Sequence, residues 1–320
     1  GESAHASQVC FAMIALLLTL VLTFGLSACA VPMARRIAAR FGMMDRPDGR
    51  LKHQHQAIPY LGGVAVFVAF LTGVVFAIEL RPDLKAILLA ASIAMFVGLA
   101  DDLRTLSPVA KVVGQAIAVT ALTAWGVQIE LGAAPDWLEL LLTFAWIIGI
   151  VNAFNLLDIM DGLCGAVGVV IAVFLGVGAW IDGDEARVIA LVALAASLLG
   201  FLIHNWPPAT IYLGDAGAMV LGFLLAALAV TEPTGKRGFS PWPTMLMLGV
   251  PILDTSFVVL ARIWRRQPIF VGSPDHLPIR LLRAGMSQRR VVLTYCAAAA
   301  VLGAAGLAVQ TDLPRRLLGK

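Results

Sequence analysis

Ten times along this chain, roughly 20 consecutive residues pass with scarcely a charge. The runs fall at about 9–32, 59–79, 85–100, 108–126, 138–156, 163–181, 187–204, 216–230, 242–263 and 291–310. That length is what a helix needs to cross the hydrocarbon core of a bilayer. The runs are continuously apolar rather than alternating, so helices and not barrel strands are the expected spanning element. Composition agrees: of 320 residues, 60% are hydrophobic and 13% are charged, against roughly 25% charged in a soluble domain. So few polar groups could not cover the surface of a soluble globule of this size. A cytosolic enzyme, a disordered chain and a disulfide scaffold are excluded. The net charge of +3 gives no reason to expect a nucleic-acid partner.

The sequence therefore predicts an all-α polytopic membrane protein of about ten transmembrane helices. It forms one domain over residues 1–320, with no internal repeat. The positive-inside rule sets its orientation. With the loop after the first span on the cytoplasmic side, 15 of the 23 Lys and Arg fall on that side, and both termini lie outside. Four polar segments also gather there, which predicts one cytoplasm-facing site. The opposite loops, such as Asp182-Gly-Asp-Glu185, show no organisation. Cys10, Cys29, Cys164 and Cys296 form no Cys-x-x-Cys pair and read as small core-facing residues.

The first polar segment is Val97-Gly-Leu-Ala-Asp-Asp-Leu-Arg-Thr-Leu-Ser-Pro108, followed by Lys111 and Gln115. Carboxylates at the end of an apolar helix are costly. Neighbours on a helix point about 100° apart, so Asp101 and Asp102 cannot share one role. They read either as a solvated cap or as a metal or proton-transfer pair, with Arg104 and Lys111 to hold an anion. The second segment is Asn152-Ala-Phe-Asn-Leu-Leu-Asp-Ile-Met-Asp-Gly162. On a helix, four polar residues at steps of three would sweep half the circumference. Amides and carboxylates so spaced suit a divalent cation and a polar ligand, and oxygen-only ligands favour Mg²⁺ or Mn²⁺.

In the third segment, Asn205-Trp-Pro-Pro-Ala-Thr-Ile-Tyr-Leu-Gly-Asp-Ala-Gly217, the prolines stop the seventh helix and Asp215 begins the eighth. Asp215 reads as an N-cap or as a metal carboxylate beside a phosphate at a helix N-terminus. Tyr212 reads as an interfacial anchor or a platform for a base. The fourth comprises Asp254 in mid-span, with no assignable partner, then Arg262, Arg265 and Arg266, then Ser273-Pro-Asp-His-Leu-Pro-Ile-Arg280. There His276 and Arg280 are candidates to hold a phosphate or sugar. A fifth stretch, Arg50 to Gly63, reads as a phosphate- or nucleotide-contacting loop rather than a zinc site at His53 and His55.

Taken together, these residues resemble the polyprenyl-phosphate N-acetylhexosamine-1-phosphate transferases. The matching segments are Ile58–Gly63, Gly98–Leu103 with Leu106–Lys111, Asn152–Gly162, Ile211–Gly217 and Pro251–Thr255. They stand in family order within about residues 45–282. The resemblance implies a transferase that joins the sugar-1-phosphate of a UDP-sugar to polyprenyl (undecaprenyl) phosphate and releases UMP, opening a cell-envelope polysaccharide. It implies a Mg²⁺ requirement, with Mn²⁺ as a substitute, and a multi-pass place in the bacterial inner membrane; it allows a homodimer. By position, Asp101 and Asp102 correspond to catalytic carboxylates, and Asn155 and Asp215 to metal ligands. Lys52, Asp158, Asp161, Tyr212, His276 and Arg280 correspond to the nucleotide-sugar side, and Lys111 and Asn152 to the lipid phosphate. Three departures stand out: a single His in Asp275–Arg280 where the family often has a run, Ile159 for a common Gly, and Ala218 for a common Ser. The missing His cluster argues against a peptide-bearing substrate. A polytopic transporter is the alternative from another class. A CDP-alcohol phosphotransferase, suggested by Asp182–Arg187, lacks its downstream aspartates, and intact acidic motifs argue against a bare scaffold.

Overall fold

The computed structural model describes residues 2–45, 57–78, 80–132, 134–230, 241–266 and 276–318. Helices form at all ten apolar runs. They are α1 (Glu2–Arg40), α2 (Gly62–Ala77), α3 (Pro82–Leu103), α4 (Pro108–Thr123), α5 (Asp136–Leu157), α6 (Leu163–Asp182), α7 (Glu185–Asn205), α8 (Gly214–Val230), the pair α9 (Pro241–Met247) and α10 (Gly249–Trp264), and α12 (Gln288–Leu318). A short α11 (Leu277–Arg283) precedes α12. Six of these helices are long and apolar enough to cross a membrane, and the bent α9–α10 pair makes a seventh. The apolar helices α2, α4 and α8 are shorter.

Two details differ from the sequence expectation. The ninth run is not one rod: α9 and α10 meet at 78°. Pro251 has no N–H to offer the carbonyl of Met247, and its ring crowds that carbonyl, so a helix cannot run through unbroken. The fold is also not wholly helical, because β1 (Met44–Asp45) pairs antiparallel with β2 (Ile58–Pro59).

Every residue of α8 from Ala216 to Val230 is buried. It is the axis of the bundle, packed against α2, α3, α5 and α6. A helix apolar all round has to be covered on every side, and here the neighbouring helices do so. Small residues allow the closest approaches. A Cβ at Gly63 would lie 2.2 Å from Gly217 Cα, and one at Gly98 would lie 2.5 Å from Ala216 Cα. These glycines bring α2 and α3 against the first turn of α8. The outer faces stay apolar: Leu17, Leu18, Val21 and Leu22 of α1 are exposed, as lipid contact requires, and so is Cys29, which was expected to face the core.

Candidate active site

The bundle alternates in direction, so the ends of α3, α5 and α7 and the starts of α2, α4, α6 and α8 meet at one end. Backbone hydrogen bonds join the entry strand to the start of α8. Tyr212 N donates to Pro59 O (2.8 Å), Gly62 N to Tyr212 O (3.0 Å) and Gly63 N to Leu213 O (2.8 Å). Gly214 follows with φ +79°, a conformation that costs glycine little.

The two adjacent aspartates part as their 100° separation requires. Asp102 caps α8: its Oδ1 accepts from Asp215 N (2.9 Å) and its Oδ2 from Ala216 N (3.0 Å). A side chain at Gly214 would collide with this carboxylate, its Cβ falling 2.8 Å from Asp102 Oδ2. Asp101, 5% exposed, turns the other way. Its Oδ1 accepts from Leu106 N (2.7 Å), and its Oδ2 is ion-paired with Lys111. Lys111 Nζ also lies 3.4 Å from Asp215 Oδ2, and Asn155 Nδ2 donates to Asp215 Oδ1 (2.6 Å). Asp215 is thus held from the first turn of α8, between α4 and α5. The cap on α8 is supplied by Asp102 and not by Asp215.

The segment 152–161 departs from the expected single helix. α5 ends at Leu157, Asp158 is its C-cap, and Gly162 turns with φ +74° into α6. Asn152 and Asn155 therefore share a helix, while Asp158 and Asp161 sit in the turn. Asp161 Oδ2 accepts from Ala209 N (3.0 Å) and so fixes the approach to Tyr212. Asn205, given no role from sequence, ties two turns together: its Oδ1 accepts from Gly162 N (2.9 Å) and its Nδ2 donates to Ile211 O (2.9 Å). Arg289 Nε donates to Pro207 O (2.9 Å). An Asn between a helix and a Pro-Pro pair was the available signal for such a tie.

Among these aspartates the field is locally negative. Burial first, and then the charges of Asp215, Asp102 and Asp161, push the carboxyl of Asp158 up to about 8. Burial and nearby carboxylates also raise the hydroxyls of Tyr60 and Tyr212. Such a place favours a cation. No group of three or more His, Cys, Asp or Glu forms a metal cluster among the described residues. The donors at hand are hard oxygens, from Asp215 and the Asn155 amide. That set fits Mg²⁺, which takes one or two protein oxygens and leaves the rest to water and substrate phosphates.

Three other expected site residues have partners of their own. Asn152 Nδ2 donates to Gln115 Oε1 (2.8 Å) and to Ile148 O (2.7 Å), so its amide protons are not turned to a phosphate. His276 Nδ1 lies 3.2 Å from Asp254 Oδ2, and Tyr295 OH donates to Asp254 Oδ1 (2.9 Å). His276 is thereby the partner that the sequence could not assign to the mid-span aspartate. Arg280 stacks 4.8 Å over the ring of Phe257. Lys52 lies outside the described residues.

Comparison with known proteins identifies the family. The family described as Glycosyl transferase family 4 matches residues 84–232, the stretch that carries Asp101, Lys111, Asn155 and Asp215. A probable undecaprenyl-phosphate N-acetylglucosaminyl 1-phosphate transferase of Bacillus subtilis is 33% identical over 273 residues, 82% of this chain and 76% of the relative. A decaprenyl-phosphate N-acetylglucosaminephosphotransferase of Mycobacterium tuberculosis is 31% identical over 298 residues, 81% of this chain and 74% of its own. An undecaprenyl-phosphate alpha-N-acetylglucosaminyl 1-phosphate transferase of Salmonella typhi is 26% identical over 297 residues, with 87% and 79% covered.

Proposed function

Because the chain belongs to glycosyl transferase family 4, among the polyprenyl-phosphate N-acetylhexosamine-1-phosphate transferases, we propose that it transfers a sugar-1-phosphate from a UDP-sugar to polyprenyl phosphate. The observation that carries this reading is the meeting of Lys111, Asn155 and Asp215 at the capped start of α8. The sugar to test first is N-acetylglucosamine, which is named for all three relatives. The product opens a cell-envelope polysaccharide. The site end faces the cytoplasm of a bacterial inner membrane, as the distribution of basic residues supports.

An oxygen of the lipid phosphate attacks the sugar-bearing phosphorus of the UDP-sugar. A new P–O bond forms, the bond to the UMP oxygen breaks, and UMP leaves with that electron pair. A phosphomonoester loses its second proton near pH 6, so the acceptor is largely dianionic and direct attack needs no strong base. Lys111 binds the acceptor phosphate, and Asp101 holds Lys111 and takes up any remaining proton. Asp102, with both oxygens used on α8, is a positioning residue for Asp215. Asp158, Asp161, Tyr212 and Lys52 form the nucleotide side. Asn155 and Asp215 would hold Mg²⁺, which when bound offsets diphosphate charge and stabilises the leaving group.

The test is the purified chain in detergent with polyprenyl phosphate, Mg²⁺ and a panel of UDP-sugars, reading UMP release and the mass of the lipid product. A polyprenyl-diphosphate sugar, lost on chelation and regained with Mg²⁺ or Mn²⁺, is the expected result. No lipid-linked product from any sugar nucleotide would overturn the proposal.

A further inference from the structure

One polar pair near this site lies deeper, toward the hydrocarbon. Gln115 follows Lys111 by four residues on α4, and Asn152 precedes Asn155 by three on α5. Each spacing puts its two residues on one helix face. α4 runs inward from the site and α5 runs outward to it, so Gln115 and Asn152 lie one turn beneath Lys111 and Asn155. Gln115 is 0% exposed. Asn152 Nδ2 already donates to Ile148 O and also to Gln115 Oε1, so Gln115 must present its oxygen. Its own Nε2 is left buried without a partner.

A buried amide with an orphaned N–H group costs stability, whereas an apolar side chain of similar shape does not. Gln115 is therefore a poor choice for packing and a good one for holding Asn152. The cross-helix bond ties α4 to α5 one turn beneath the level where Lys111 and Asn155 converge on Asp215. We propose that Gln115 is a positioning residue for the transfer, acting through Asn152 to fix the separation of Lys111 and Asn155 across the reacting phosphates. This rests on the function proposed above.

Full-length variants, with melting temperature read beside kinetics, test it. Gln115→Leu should melt no lower than wild type yet lose kcat about 10-fold or more, since small misplacements are costly in transfer, with little change in KM for the UDP-sugar. Gln115→Glu keeps the acceptor and the shape and should recover most of that loss. Asn152→Leu added to Gln115→Leu should cost nothing further. A folded Gln115→Leu with wild-type kcat, a folded Gln115→Glu as slow as Gln115→Leu, or additive losses in the double variant would each overturn the assignment. An active wild type with unaffected variants removes this inference alone, whereas a wild type inactive on every sugar nucleotide removes the function with it.

Discussion

At one end of the bundle, Arg81 reaches Asp184 (3.0 Å) and Asp83 (2.7 Å), while Arg187 reaches Asp182 (2.5 Å). Asp184 also caps α7 through Arg187 N (3.1 Å), and Gln310 ties α12 to Asp182 (2.9 Å). The sequence left these loops without organisation, and the structure corrects that reading: this is a connected network of two arginines and three aspartates. At the other end, Lys111 meets Asp101 and Asp215, and the charges of Asp215, Asp102 and Asp161 act on Asp158. Both clusters hold helix ends together, but the first balances its charge nearly within itself. The second sets five aspartates against Lys111, an excess that the cation of the proposed function would offset. A charged cluster in a membrane protein is therefore read by its balance, not by its presence: the nearly balanced one braces helix ends, and the unbalanced one is where the proposed function places its ligands.

The comparison breaks most visibly at Asp215. Asp215→Asn should lower kcat by at least about 10²–10³-fold with an unchanged melting temperature; near-normal turnover would remove Asp215 from the site. The mirror experiment is Asp184→Ala. It removes the cap on α7 and one of the two carboxylates that hold Arg81, at about 0.5–2 kcal/mol for the cap, so thermal unfolding should drop while kcat of the folded fraction holds. A kinetic defect there would mean the two ends are not separate in function.

Asp102→Ala sharpens the account, because Asp102 belongs to both kinds. Loss of the cap on α8 should cost about 0.5–2 kcal/mol and also slow turnover by loosening Asp215. Loss of turnover at full stability would instead make Asp102 a group that touches the reacting phosphates. The smallest effect concerns pH. With its carboxyl raised to about 8, Asp158 is largely protonated at neutral pH and gains its charge as pH rises through 8. Cation affinity should strengthen over that interval, and Asp158→Asn should flatten the slope. The same raised value means that Asp158 lowers folding stability as pH climbs from its unfolded value toward 8.

Much of this was legible in the chain. Apolar length alone located the ten helical regions, and the acidic motifs named Asp101, Asp102, Asn155 and Asp215 before any contact was known. Two further residues were named in the sequence without the part they play here: Pro251, which breaks the ninth run, and Gln115, a polar residue one turn from Lys111 in an apolar helix. What was not legible depends on which elements meet. Nothing near Asp254 in sequence indicates that His276 and Tyr295 will close on it. Nothing in Asp182-Gly-Asp shows that Arg81, a hundred residues earlier, arrives beside it. That Asp102 caps α8 depends on the close approach of α3 to the first turn of α8 at Gly98 and Ala216.

Manganese binding to the purified chain, followed by electron paramagnetic resonance, tests the central claim without needing turnover. The account predicts one saturable Mn²⁺ site in the presence of UDP-sugar, abolished by Asp215→Asn and kept by a folded Asp184→Asn. Equal binding in wild type and Asp215→Asn, or a site lost only with Asp184, would contradict it.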